Sequence, residues 1–525
     1  MQYKNRKEEI LAQYAEREEQ KRREEAVREH EHVMHMAKKV CLSPEHPMPT
    51  TRRELLGAGL ISGLSYAVVP SIFTLAAQSA YGVECSKGGA AAAGPGLPGY
   101  LHVEVKGGYS VARNFVPGKQ DAGGAFVPIA TAGYATIGYG PTQAPPTVQL
   151  NTELGGTLHP TSNILAGMKA VMSPAALQKT VVSAICGVSG DDTQNNPHNP
   201  IQLVTKVAGN RGSLLQIGGT KDSNTGGGTA PLAIAQDPGL AKAVVANEAS
   251  LANLVNPGLI AARFNNNTQA AVKVAELAHK LSASKLAQFQ AKDLNQQVKD
   301  LIECGYLGAK DLLTEFTPDK LQVSTDTKLN TAYNAVPFAT AFTGLNQTSM
   351  IMAKLMADGL ATGGTIEMAG YDYHGQGLAS QDPKDDAIGR LVGLALEVAH
   401  RKGQPMFVAV TTDGSVSTSG AGTADRIPGA ADSGARSMML MFAIGATAKP
   451  QMNFHQIGKF SDAGAVDTSY LLTANAPQTA ALCLAYNYAS FAGKLAQFDS
   501  VLSANGAVNP FKGAEKQYQA FAPKA

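Results

Sequence analysis

Gly364-Thr365-Ile366-Glu367-Met368-Ala369, running into Gly370-Tyr371-Asp372-Tyr373-His374-Gly375-Gln376, reads as a short strand that stops at a glycine and releases a loop of aromatic and ligand-type side chains. A helical period precedes it at Gln347 to Leu360, and another follows at Asp385 to His400. Beyond lie a strand at Pro405 to Val410, the loop Thr411-Thr412-Asp413-Gly414, a strand at Ser437 to Ile444 and helices around Ala476 to Lys494. Upstream, a strand at Tyr100 to Val105 ends in Lys106-Gly107-Gly108-Tyr109-Ser110. A loop-rich stretch (116–160), a helix at Asn163 to Val171 and an apolar run at Thr180 to Val188 come next. Helical periodicity returns at Pro238 to Val255 and Thr268 to Cys304, after a Gly-rich loop from Gly218 to Thr229 that lacks the Lys-Ser/Thr of a phosphate loop. Strands alternating with helices predict an α/β fold, a largely parallel sheet covered on both faces. In such sheets functional groups gather on loops at the carboxyl ends of strands, which points to Tyr371–His374 and Thr411–Gly414.

The chain of 525 residues is long enough for one large α/β domain with additions or for several domains, and no internal repeat suggests a solenoid. Residues 1–54 hold 12 of the 44 Lys and Arg and 11 of the 42 Asp and Glu, so the body is sparsely and evenly charged. A net charge of +2 without basic clusters argues against nucleic acid as a partner.

Residues 4–40 form a solvated helix on sequence, with Glu18/Arg22, Glu19/Arg23 and Glu24/Arg28 at i,i+4 spacing and too few apolar positions to bury a face. His30, His32 and His35 with Met34 and Met36 are ligand types for soft or borderline cations, but they also suit an exposed helix face. Pro44, Pro47 and Pro49 then break the helix. Thr51-Arg52-Arg53-Glu54-Leu55-Leu56 leads into a segment, Leu55 to Ala77, without a charged side chain. Paired arginines before a Gly-rich, moderately apolar core closely resemble a twin-arginine export signal, which carries folded proteins across the bacterial inner membrane. The resemblance implies the export machinery as partner, a periplasmic or exported location, and cleavage near Ala77 to Gly82. A retained segment would instead be an inner-membrane anchor, the chain's sole membrane contact. About fifty residues precede Arg52, so either Met48 starts the signal or a charged helix stays in the cytoplasm. Cys85, Cys186, Cys304 and Cys483 follow the signal, far apart, as disulfide partners or buried thiols.

Asp372 and His374 stand two residues apart just past a strand, and an extended backbone aims both to one side. A carboxylate and an imidazole so placed are ordinary ligands of a divalent cation. Gly370-Tyr371-Asp372-Tyr373-His374-Gly375-Gln376 resembles the Gly-Trp-Asp-Thr-His element, often followed by Gln, of a large bacterial family of exported proteins related to alkaline phosphatases and sulfatases. Gly107-Gly108 after the first strand, Leu158-His159-Pro160 before a helix and His198 extend the likeness over most of residues 100–445. The resemblance implies a three-layer α/β/α sandwich, alkaline-phosphatase-like, with a charged N-terminal helix. The organisation it suggests is a charged segment (1–47), the signal (48–84), a linker (85–98), the α/β domain (99–500) and a C-terminal tail (501–525).

Hydrolases of that superfamily hold two metal ions between Asp and His ligands and use a Ser or Thr nucleophile. Here the element after the 405–410 strand keeps a carboxylate, Asp413, but loses the usual Arg. Where Asp-His-Gly-His is expected, the chain reads Asp432-Ser433-Gly434-Ala435-Arg436, and both imidazoles are gone. Asp372, His374, Asp413 and Asp432 are thus candidate or vestigial metal ligands, holding no metal or one divalent ion, and Arg436 adds a fixed positive charge nearby. Ser110 and Thr411 are candidate nucleophiles without a visible base. Three readings follow: a degenerate relative acting as an envelope binding or assembly component, an active phosphate- or sulfate-ester hydrolase, and a tethered protein whose charged helix meets a cytoplasmic partner.

Overall fold

A computed structural model describes residues 97–120, 124–189, 200–209, 212, 215–220, 242–255, 318–329, 342–412, 414–418, 427–504 and 506–522. The charged segment, the twin-arginine signal, Cys85, His198, the 268–304 helical stretch, Cys304 and Asp413 lie outside the described residues. Among the described residues no helix is long and apolar enough to cross a membrane.

The strands that matter here are β1 (Gly99–Val105), β2 (Thr180–Cys186), β3 (Leu215–Gly219), β4 (Lys242–Val244), β5 (Ala361–Met368), β6 (Met406–Thr412), β7 (Val416–Thr418), β8 (Gly429–Asp432), β9 (Met438–Ile444) and β10 (Gln456–Ile457). One sheet orders them β10-β2-β9-β6-β1-β5-β3-β4, while β7 and β8 form a separate hairpin. β1 is buried along its whole length, including its polar His102 and Glu104, and pairs in parallel with β5 and β6 at the centre of the sheet. Only β9 runs against its neighbours, β2 and β6. The sheet is therefore mostly parallel, and its strands carry the alternation of two cores. Leu101, Val103 and Val105 belong to one core, Tyr100 to the other; on β6, Val408 and Val410 join the first, Phe407 and Ala409 the second.

Helices follow the same division: α1 (Asn163–Val171), α2 (Pro174–Gln178), α3 (Pro200–Val207), α4 (Glu248–Val255), α5 (Gly344–Ala357), α6 (Leu378–Lys402), α7 (Pro477–Phe491) and α8 (Leu495–Ala504). The first core takes its helical residues from α1, α2, α4, α5 and α6, the second from α3, α7 and α8. α1 starts because the Ser162 hydroxyl accepts the Leu165 N–H, and α6 stops at Gly403, whose φ of 67° closes its last turn. The two cross in close contact because Gly389 lacks a side chain: a Cβ there would run into the Ile164 carbonyl. Behind the first core lies a buried ionic knot. Lys354 Nζ reaches Asp358 Oδ2 at 2.6 Å and Asp326 Oδ2 at 3.1 Å, and Lys402 Nζ lies 2.7 and 2.8 Å from the same two carboxylates.

The sequence expectations differ from the structure at three places. Thr411 and Thr412, read as the start of a loop, complete β6. The helical period read from Pro238 begins only at Glu248, where Asn247 accepts the Ser250 N–H; Lys242–Val244 is a strand instead. Its backbone is captured by β3, and the Val245 N–H continues the contact to the Gly219 carbonyl at 2.9 Å, so pairing overrides an Ala-rich pattern. The stretch set apart as a tail from residue 501 is no appendage: Phe511, Tyr518 and Phe521 are buried in the second core. Phe407 contacts Phe521 edge-on at 5.7 Å and stacks on Tyr100 at 5.8 Å. The thiols of Cys186 and Cys483 are free and buried.

Candidate functional site

Loops after β1, β5 and β6 interlock at the carboxyl ends of the central strands. The Tyr371 N–H donates to the Lys106 carbonyl at 2.9 Å, the Tyr373 N–H to the Gly108 carbonyl at 3.3 Å, and the Thr412 hydroxyl to the Gly107 carbonyl at 3.0 Å. Gly107 permits this twice over: its φ is 106°, and a Cβ would collide with the backbone nitrogen of Asp372. The two tyrosines flanking Asp372 point inward and anchor the loop. Tyr373 is fully buried with its hydroxyl 2.7 Å from Asp385 Oδ1 and 3.0 Å from the Gln381 carbonyl, both on α6. Burial, reinforced by the Asp385 charge, pushes its pKa far above the ordinary tyrosine value, so it remains a donor. Tyr109 packs edge-on against it at 5.2 Å, and Lys384 donates to the Gly370 carbonyl at 2.6 Å while its ammonium lies 5.8 Å from the Tyr373 ring.

This anchoring leaves Asp372 and His374 on the outside. Both are exposed, but Asp372 Oδ1 accepts the His374 N–H at 2.8 Å, an Asx turn that commits one carboxylate oxygen to its own loop. His374 Nδ1 lies 3.5 Å from Asp432 Oδ2, with the side chains 50% and 47% exposed. Asp432 reaches this end of the sheet for a reason of topology: it precedes β9, and the antiparallel course of β9 starts at the carboxyl ends of its neighbours. Three of the four residues singled out on sequence thus share one end of the sheet, and Asp413 lies outside the described residues.

Where the resemblance calls for imidazoles, the chain forms a 3-10 turn, Gly434–Arg436. Arg436 Nη1 donates to Ser433 Oγ at 2.7 Å, the Ser415 hydroxyl donates to the Arg436 carbonyl at 3.2 Å, and the Ser433 N–H donates to the Ser415 carbonyl at 2.9 Å. The turn is tied to the loop after β6 and carries a half-buried guanidinium. A two-metal centre does not fit this donor set: serine and alanine stand where the resemblance expects imidazoles, one Asp372 oxygen is engaged, and Arg436 adds a permanent cation to the turn that follows Asp432. Among the described residues no group of three His, Cys, Asp or Glu side chains is arranged to hold a metal ion.

Other sequence markers resolve into structure. His159 is buried, stacked on Tyr139 at 4.8 Å, with Nδ1 2.8 Å from Thr161 Oγ1 and Nε2 3.0 Å from the Gln143 carbonyl, so both ring nitrogens serve the fold. Ser110 is buried at the start of a 3-10 turn. Thr411 does meet a base that sequence reading missed: His102 on β1, with Nε2 3.0 Å from Thr411 Oγ1 and Nδ1 3.1 Å from the Tyr100 hydroxyl. Burial pushes the His102 pKa down to about 4, so the ring is neutral and carries one proton. Its two nitrogens link the buried Tyr100 and Thr411 hydroxyls into one hydrogen-bonded chain. The signal for this contact is the polar pair His102 and Glu104 alternating with Leu101, Val103 and Val105 along the strand.

Comparison with protein-family models, with characterised proteins and with solved structures gives no match for this chain.

Proposed function

We propose that this chain is exported by the twin-arginine route and is built as a three-layer α/β/α sandwich of alkaline-phosphatase type. In this reading its metal loops have been rebuilt, and it works as a binding or assembly component of the bacterial envelope. The carrying observation is the Arg436 turn: the loop that would supply imidazole ligands supplies a guanidinium braced by Ser433 at 2.7 Å. A fixed cation on the turn that follows Asp432 disfavours a second cation held by that loop. The folded, doubly buried sheet suits a route that accepts finished folds, and Arg52-Arg53 before an uncharged segment supplies the address.

A second reading, a hydrolase of phosphate or sulfate esters using one divalent ion, draws on His374 and Asp432, which meet at 3.5 Å with Asp372 beside them. Metal analysis of the purified protein, with assays on generic phosphate and sulfate esters, separates the two. The binding reading expects no stoichiometric zinc and no turnover that responds to His374→Ala. Tightly held transition metal, or a robust esterase activity abolished by that substitution, overturns it in favour of the hydrolase.

A further inference from the structure

Arg436 presents an unused recognition edge. Of its five N–H donors the protein takes one, at Nη1, for Ser433 Oγ at 2.7 Å. Nε is buried and has no hydrogen-bond partner, and among the described residues no carboxylate forms an ion pair with the guanidinium. Asp432, the nearest acid in sequence, turns to His374 instead. Burial without an opposing charge depresses the Arg436 pKa from its ordinary value, the mark of a cation that has lost water and gained nothing in return. Such a group is costly to keep, because a buried donor without a partner has given up its hydration for nothing. It is nevertheless held in place from three sides, since Ser433 fixes the head, Ser415 grips the main chain, and the Gly434 carbonyl accepts the Ser189 N–H at 2.9 Å. Ser189 Oγ, buried and without a partner, lies against the same turn.

We propose that Arg436 is an oxyanion-binding residue, offering the guanidinium donors left free among the described residues to the oxygens of a phosphate, sulfate or carboxylate group on the ligand, with Ser433 as the strut that orients the fork. This rests on the binding reading of the site and adds the chemical class of what is bound. The forked geometry of guanidinium matches paired anionic oxygens, and the ion pair would supply the countercharge that the protein omits. Arg436 is itself only partly buried, so part of the guanidinium meets solvent while Nε is covered.

The test is calorimetric titration of the full chain with inorganic phosphate, sulfate and acetate separately at constant ionic strength, for the wild type, Arg436→Gln, Arg436→Lys and Ser433→Ala. Circular dichroism and urea unfolding check that each variant is folded. Saturable binding of at least one anion is expected, weakened at least tenfold by Arg436→Gln and several-fold by Arg436→Lys and Ser433→Ala. Preference for phosphate and sulfate would identify a tetrahedral group, and preference for acetate a carboxylate. Phenylglyoxal labelling of Arg436 in the wild type, read by peptide mass spectrometry, is expected to slow in the presence of the bound anion and needs no variant to fold. Absence of saturable binding for all three anions, equal affinity in folded Arg436→Gln, or labelling indifferent to anion overturns the proposal. Failure of the binding reading shows separately, as bound transition metal with ester hydrolysis.

Discussion

Asparagine in place of Asp326 removes one charge from the buried knot behind the first core while keeping its shape. Oδ2 of Asp326 lies 3.1 Å from Lys354 Nζ and 2.8 Å from Lys402 Nζ, and its side chain is only 9% exposed. Burial pushes its pKa up, but the hydrogen bonds and charges of Lys402 and Lys354 outweigh it and bring the value from 3.8 to about 2. At 1.36 kcal/mol per pKa unit that displacement is a ceiling of about 2 kcal/mol. The knot opens to solvent on its Asp358 side, 23% exposed, and screening there reduces the expected loss to about 1–2 kcal/mol. The sign follows from the direction: a carboxyl more acidic when folded contributes stability above about pH 4, and loses it as pH falls through 2. Urea unfolding followed by circular dichroism at pH 7, 4, 3 and 2.5 is expected to show the variant about 1–2 kcal/mol weaker at neutral pH, with the gap shrinking through the acid range. Equal stability at pH 7, or a gap that stays constant from pH 5 to 2.5, would refute the electrostatic account.

Lysines in place of Arg52 and Arg53 are expected to leave the protein in the cytoplasm by cell fractionation, whereas the wild type accumulates outside it with a mature N-terminus between residues 78 and 86. Phenylalanine at Tyr373 removes the hydroxyl contact to Asp385 at 2.7 Å and takes one donor from a buried carboxylate; the expected cost is about 1–3 kcal/mol by urea unfolding. Alanine at Gly107 forces a side chain into a φ of 106° against the Asp372 backbone. It should cost at least about 1–3 kcal/mol, and proton NMR should show the His374 ring signals shifted as the interlocked loops part.

Much of the scaffold was legible because its strands and helices bury unbroken apolar periods. Asn163–Val171 is read residue for residue, and the strand before Tyr371 is displaced by only a few positions. β4 was missed because Lys242–Val244 is short, sits among alanines and owes its form to a neighbour 25 residues upstream, Ile217, its register partner being a long-range fact. At the site, Asp372-Tyr373-His374 announced a loop, yet sequence spacing alone could not tell that Tyr373 points inward to Asp385. Nor could it tell that Asp372 spends an oxygen on its own turn. The antiparallel course of β9 was equally invisible, although it is what brings Asp432 to His374. Ligand spacing is local information, whereas partners such as His102 and Thr411 are separated by 309 positions and meet only through strand pairing.

The second core has an order of assembly written into it. Tyr100 is among the first residues of the sheet to be synthesised, yet the rings that cover its face belong to Phe407 and Tyr488, and Phe521 closes over Phe407. At translation speeds of 5–20 residues per second, roughly 20–80 s separate Tyr100 from Phe521. Through that interval the central strand of the sheet has no complete shelter on this side, and β6, its partner along one edge, does not yet exist for most of it. Nascent chains of this protein would therefore depend on holding chaperones far longer than a fold made of local hairpins, and a ribosome stalled before α8 would hold a chain whose second core still lacks Phe498, Phe511 and Phe521.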